Sequence, residues 1–248
     1  MNTMSASPAK PADSADAAGS HASASHTPGA SSQLIWDLPQ RLVHWLMVLS
    51  FSGAYLTAET ERWRLVHVSL GYTLAGLVIF RLVWGLLGSR HARFANFVRG
   101  PAAVLTYLRG LLQGRPQHFA GHNPAGALAI VAMLGLALGL TASGYATYTD
   151  LGGEWLEETH ELLANGLLAV IGLHVLGVLV SSWLHRENLP RAMITGRKLA
   201  GPEQGIRRSW APLAALILVA VLGFWAWQWQ QAPVVSAATA QQHHDDDE

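Results

Sequence analysis

The stretch Glu158–Leu184, ETHELLANGLLAVIGLHVLGVLVSSWL, decides the fold. At about 1.5 Å per residue it is about 40 Å long, more than the roughly 30 Å of hydrocarbon in a bilayer. Two histidines interrupt it, His160 and His174, the second fourteen residues after the first. At about 100° per residue, fourteen residues return to within about 40° of the starting direction and rise about 21 Å. Both imidazoles therefore lie on one helix face at two depths. Ionisable side chains inside a membrane are costly, so each calls for a functional explanation.

Outward from this segment, four more apolar stretches are long enough to cross: Leu42–Ala58, Leu65–Leu87, Ala125–Thr147 and Ala211–Trp229, the first being the shortest. Half of the residues are hydrophobic and 13% are charged, with a positive mean hydropathy, which makes a membrane the expected solvent. The sequence predicts an all-α integral membrane protein. Its net charge of zero conceals a local asymmetry. Arg90, Arg93, Arg99, Arg109 and Arg115 fall between the second and third spans, and Arg186, Arg191, Arg197, Lys198, Arg207 and Arg208 after the fourth. The positive-inside rule puts those loops in the cytoplasm of a bacterial inner membrane. Asp150, Glu154, Glu157 and Glu158, and the short loop of Glu59, Glu61, Arg62 and Arg64, then face the periplasm. Five spans leave the N-terminus inside and the C-terminus outside.

Residues 1–33 read as a disordered Ser/Ala/Pro-rich tail without a cleavable signal core, 34–198 as the membrane domain, 199–230 as a linker with the fifth helix, and 231–248 as a polar acidic tail ending His243-His244-Asp-Asp-Asp-Glu248. Behind Pro101, the residues Val104, Leu105, Leu108, Leu111 and Leu112 share a helical face, the pattern of a surface helix on the inner leaflet. Gly135 and Gly139 allow close helix packing. Trp225, Trp227 and Trp229 form an interfacial belt at the outer end of the fifth span.

No cysteine is present, which excludes disulfides, iron–sulfur clusters, thiolate metal sites and covalent c-type haem attachment. Of twelve histidines, four lie within spans at depths that match. His67 and His160 start spans from the outer face, whereas His44 and His174 reach the inner level. Each pair suits the two axial positions of a haem iron, the porphyrin supplying the other four ligands. One structural zinc, which takes four protein ligands, cannot be assembled across about 21 Å. Haem propionates seek cations near an interface. Arg62 and Arg64 stand by the outer pair and Arg41 and Arg81 by the inner one, with snorkelling as the cofactor-free reading. His91, His118, His122, His185, His21 and His26 read as solvated surface, and the acidic tail as a weak cation binder at most.

Ile35-Trp-Asp-Leu-Pro-Gln-Arg-Leu-Val-His44-Trp45, His67-Val-Ser-Leu-Gly71-Tyr72, Phe80-Arg81-Leu-Val-Trp84-Gly85, Gly121-His-Asn-Pro-Ala-Gly126, His160-Glu161 with His174, and His185-Arg-Glu-Asn-Leu-Pro-Arg-Ala-Met-Ile-Thr-Gly196 resemble the bacterial cytochrome b561 and nickel-hydrogenase b-type cytochrome family over residues 34–198. The resemblance implies a four-helix bundle that binds two b-type haems through His44, His67, His160 and His174, to which this chain adds a fifth C-terminal helix. It also implies electron exchange between the quinone pool and a hydrogenase, another dehydrogenase or a cytochrome c. Bis-histidine ligation leaves no open iron position, so no catalytic acid or base stands out. Acidic outer loops would steer a basic partner. Beside the lipid bilayer, quinone and that protein, a homodimer is an open alternative, and nothing points to nucleic acid. Competing readings are a stand-alone quinone reductase fed by superoxide or a small donor, a haem-free histidine-lined transporter, and a membrane anchor with incidental histidines. The transporter needs polar residues along a path, and these spans hold few.

Overall fold

The computed structural model describes residues 31–114, 117 and 119–231. Arg115, His118, most of the N-terminal tail and the acidic C-terminal tail lie outside the described residues. Five long helices dominate: α1 (Leu38–Thr57), α2 (Arg64–Leu87, entered by one 3-10 turn at Glu61–Trp63), α5 (Pro124–Tyr148), α6 (Glu154–His185) and α8 (Ala211–Gln230). Between them lie the short helices α3 (Phe94–Phe97), α4 (Pro101–Leu112) and α7 (Leu189–Thr195). The stretches Glu61–Leu87, Pro124–Tyr148, Glu154–His185 and Ala211–Gln230 are long and apolar enough to cross a membrane. Helix α1 falls outside that set. Its 20 residues reach about 30 Å, but Gln40, Arg41 and His44 dilute its apolar character at one end.

Helix starts follow local chemistry. Asp37 caps α1, its Oδ1 accepting from Gln40 N at 2.7 Å, with Pro39 in the first turn. Asn123 caps α5 by accepting from Gly126 N at 2.7 Å, with Pro124 at the first position. Both arrangements satisfy an amide that the helix leaves unpaired, and both use proline where its missing N–H costs nothing. Helix α6 closes on Arg186, which takes the left-handed conformation at φ 51°.

Packing joins α1 to α2 and α5 to α6 most extensively, with α2 against α5 across the middle. Phe51, Leu74, Val78, Leu134, Ala137, Leu140 and Leu167 form the buried centre. Gly139 lies against Leu163 at 3.4 Å from where its Cβ would stand, whereas Gly135 faces open space, so only the second glycine of the pair tightens the α5–α6 contact. Helix α8 lies on the outside of α1 and α2. Trp225 Nε1 donates to Thr73 Oγ1 at 2.8 Å and Gln228 Nε2 to Ser69 Oγ at 3.3 Å. Those bonds join the end of α8 to the start of α2, so the two run antiparallel.

One end of the bundle is a cap. Strand β1 (Ser31–Leu34) pairs antiparallel with β2 (Arg197–Ala200), Ser31 opposite Ala200 and Leu34 opposite Arg197. Strand β1 thus includes residues 31–33 of the segment read as the tail 1–33, and β2 straddles the boundary drawn at 198. Gly196 is the hinge: its φ is 79° and a Cβ there would stand 2.7 Å from Trp36 O. Its own carbonyl accepts from Ile35 N at 2.8 Å and Trp36 N at 3.0 Å. Lys198 Nζ adds a buried tie, 3.3 Å from Glu187 Oε2 and 3.1 Å from Phe119 O.

Candidate haem sites

His67 enters near the start of α2 and His160 in the second turn of α6, the ends that lie beside each other in the bundle. Their ring centroids are 6.3 Å apart. His67 Nδ1 donates to Ala54 O at 2.8 Å. His160 Nδ1 donates to Leu140 O at 3.1 Å and lies 3.2 Å from Ser143 Oγ. A carbonyl can only accept, so each Nδ1 carries the proton and each Nε2 keeps its lone pair. Among the described residues neither Nε2 has a hydrogen bond. This is the arrangement metal-ligating histidines adopt: one nitrogen held by a carbonyl, the other free for the metal. Metal–imidazole bonds of about 2.0 Å, plus roughly 1.1 Å from nitrogen to ring centre, put two imidazoles that share one metal ion at most about 6 Å apart. The observed separation is of the size such a shared ion would require. Gly144 makes room for the ring, since a Cβ there would stand 2.7 Å from His160 Cε1.

His44 and His174 are both partly buried. Because α6 is unbroken from Glu154 to His185, His174 stands about 21 Å along the axis from His160. His44 and His174 are near enough to feel each other's charge, but among the described residues no ring contact joins them. His44 instead meets Trp45 edge-on at 5.2 Å. Among the described residues, no group of three or more His, Cys, Asp or Glu is placed to hold a metal ion.

The arginines divide sharply. Arg62 is exposed, its guanidinium 5.6 Å from the Trp63 ring centre, and Arg64 is exposed and paired with Glu61 at 3.1 Å. Arg41 Nη1 donates to Ile194 O and leaves a buried Nε without a partner. Arg81 is 4% exposed, which is exceptional for arginine. Its Nη1 donates to Ala92 O at 3.3 Å, its guanidinium lies 4.9 Å from the Phe94 ring centre, and Nη2 is buried without a partner. An unpaired buried donor on a charged group is expensive; the Asp37 carboxylate is near enough to act on Arg81 by charge but does not bond Nη2.

Two features escape the reading of the sequence. Asp37, 1% exposed, does more than cap α1. It accepts from Trp84 Nε1 at 3.2 Å and from Ser89 Oγ, tying the start of α1 to the end of α2. Its place before a proline in a span-entry motif was the available signal. The second is a correction: His91, His122 and His185 are not free surface residues but partly buried in the cap. His91 Nε2 donates to Gln204 O at 2.7 Å, and His185 bridges Ser181 O at 2.8 Å and Gln117 O at 3.2 Å. His122 has a buried, unpartnered Nδ1, with Trp36 and Phe97 ring centres at 4.6 and 4.5 Å. Burial holds His122 well below the usual imidazole range, helped by the charges of Arg81, His174, His91 and Lys198. Burial lowers His91 as well, against the bond to Gln204. Connections that look polar in sequence are folded into the cap, where backbone carbonyls take up the imidazoles of His91 and His185 and aromatic rings flank that of His122.

Several apolar helices with paired histidines between them define a multi-pass membrane protein of the b-cytochrome class. Residues 35–196 match the family model of prokaryotic cytochrome b561, and the chain belongs to that family, which implies haem b. It is 29% identical over 153 residues to the "Probable Ni/Fe-hydrogenase B-type cytochrome subunit" of Azotobacter chroococcum mcd 1, covering 50% of this chain and 63% of that one. It is 28% identical over 144 residues to the protein of that description from Azotobacter vinelandii, covering 47% and 59%. The "Probable Ni/Fe-hydrogenase 1 B-type cytochrome subunit" of Escherichia coli (strain K12) is 24% identical over 146 residues, covering 48% and 61%. The chain thus spans about three fifths of the length of these relatives. No solved structure matches it.

Proposed function

We propose that this protein is a di-haem b-type cytochrome that carries electrons across the bacterial inner membrane between the quinone pool and a redox partner. A nickel–iron hydrogenase is the first candidate partner, given the names of its relatives. The observation that carries the reading is the His67–His160 pair, with centroids 6.3 Å apart and both Nδ1 atoms occupied by carbonyls. His67 and His160 would hold one haem and His44 and His174 the other. When bound, haem b supplies a one-electron iron couple in a non-polar setting.

The chain's own residues bind and tune. Ala54 O and Leu140 O fix the tautomer and plane of the outer imidazoles and raise their basicity. Arg81, and Arg41 beside it, place positive charge near the inner pair and offer the donors a propionate needs. Arg62 and Arg64 do so from solvent, where screening weakens them. With the arginine-rich connections at the Asp37 end, the positive-inside rule turns that end to the cytoplasm and the His67 end to the periplasm.

Proteoliposomes test this directly. With ferricyanide trapped inside and an impermeant reductant outside, haem-loaded protein should reduce the trapped ferricyanide, and His160→Ala should not. Equal rates in both, or none with fully haem-loaded protein, would reject transmembrane electron transfer.

A further inference from the structure

The cap contains a cavity of about 230 Å³ whose lining includes none of His44, His67, His160 and His174. Its polar lining is Arg90, His91, Asn96, Arg99 and His122, and it holds no carboxylate. Among the described residues neither arginine forms an ion pair. Arg90 Nη1 donates to the backbone carbonyl of Glu203 at 2.8 Å, which leaves its charge uncompensated. Lys198 and Arg81 add positive charge felt by His122. The unpartnered Nδ1 of His122 is a further donor in the neutral tautomer that carries its proton there. Guanidinium groups match phosphate oxygens in geometry and are weakly hydrated, so a pocket with two of them and no acid selects a phosphate-type anion over a neutral ligand.

The surroundings favour a lipid as the source. The cavity is built from the α2–α3 connection, α3, the α3–α4 connection and residues 119–122, at the end where the basic connections gather. Beside it Val98 and, on α4, Leu105, Leu108 and Leu112 are exposed, the apolar face expected of a helix lying in the interface. Basic pockets at the cytoplasmic ends of membrane helices take anionic headgroups, with acyl chains along the neighbouring apolar surface.

We propose that this cavity binds a phosphate-type anion, with the headgroup of an anionic phospholipid of the adjoining leaflet as its natural source. The inference rests on the membrane orientation proposed above and is independent of haem stoichiometry. The test uses purified haem-loaded protein in mixed micelles, with thermal unfolding and native mass spectrometry as readouts. Phosphatidylglycerol should raise the unfolding midpoint and be retained at one per chain, whereas phosphatidylcholine should do neither. Arg99→Gln, at an exposed side chain without a recorded bond, should weaken retention roughly tenfold, with Arg99→Lys intermediate and the haem spectrum unchanged. Arg90→Gln combined with it should abolish retention, and Arg99→Gln alone decides if the double variant does not fold. Inorganic phosphate matching the effect of phosphatidylglycerol would make free phosphate the source and uphold the anion site. No response to either anion would overturn the proposal. So would loss of haem in Arg99→Gln, which would assign the cavity to the haem cradle. Wild-type protein without haem that still retains phosphatidylglycerol would count against the cytochrome reading and leave the anion site standing.

Discussion

His160 and His174 sit on one face of α6 about 21 Å apart, yet the bundle surrounds them differently. At the outer pair the imidazoles face each other at 6.3 Å, each oriented by a main-chain carbonyl, and the neighbouring arginines are exposed. His44 and His174 are not in ring contact among the described residues, and a buried cation, Arg81 at 4% exposure with a free Nη2, stands on α2 where His122 feels its charge together with that of His174. In the proposed di-haem arrangement the His67–His160 site would be held by backbone carbonyls and tuned mainly by ligand orientation, and the His44–His174 site would be tuned mainly by charge.

The largest expected effect breaks one site and spares the other. His160→Ala should remove half of the bound haem, and His174→Ala the other half. Potentiometric titration of each variant should leave one component where the wild type shows two. Loss of all haem in either single variant would show that the sites are not separable. Gly144→Val comes next, because its β-carbon would stand 2.7 Å from His160 Cε1. It should lower outer-site occupancy and shift that component alone, read as a change in one of two absorption bands. Arg81→Gln should act on the inner component only. Removing a buried positive charge favours the oxidised iron, so its potential should fall, by on the order of 60 mV if the loss amounts to tenfold in equilibrium. Arg64→Gln, at an exposed salt-bridged position, should move the outer component far less. The smallest effect is structural: Asn123→Ala should cost about 1 kcal/mol of stability through the lost α5 cap, lowering the unfolding midpoint while both haem components persist.

How much of this could be read from the sequence follows the same division. The outer pair was legible because helix periodicity and span entry fix depth and face, and depth was all that was needed to match His67 with His160. All five apolar stretches became helices; α1 begins four residues before its apolar run, behind the Asp37 cap, whereas α5 begins one residue before its own, behind Asn123. The cap was not legible. Its contacts join residues far apart in the chain, as in Gln204 with His91 or Trp84 with Asp37, and no periodicity encodes such pairings. His91, His122 and His185 therefore read as surface. The same blindness hid Ser31–Leu34, whose polar residues form a strand only because Arg197–Ala200 offers an edge.

The central claim is that this chain holds two b-type haems on four named histidines, and the pyridine haemochrome assay on purified protein, with a reduced-minus-oxidised spectrum, tests it most directly. The account predicts two haem b per chain, falling to one in His67→Ala and in His44→Ala and to none in the double variant. A single haem in the wild type that His67→Ala leaves in place, or no haem in folded protein produced with ample haem, would contradict it.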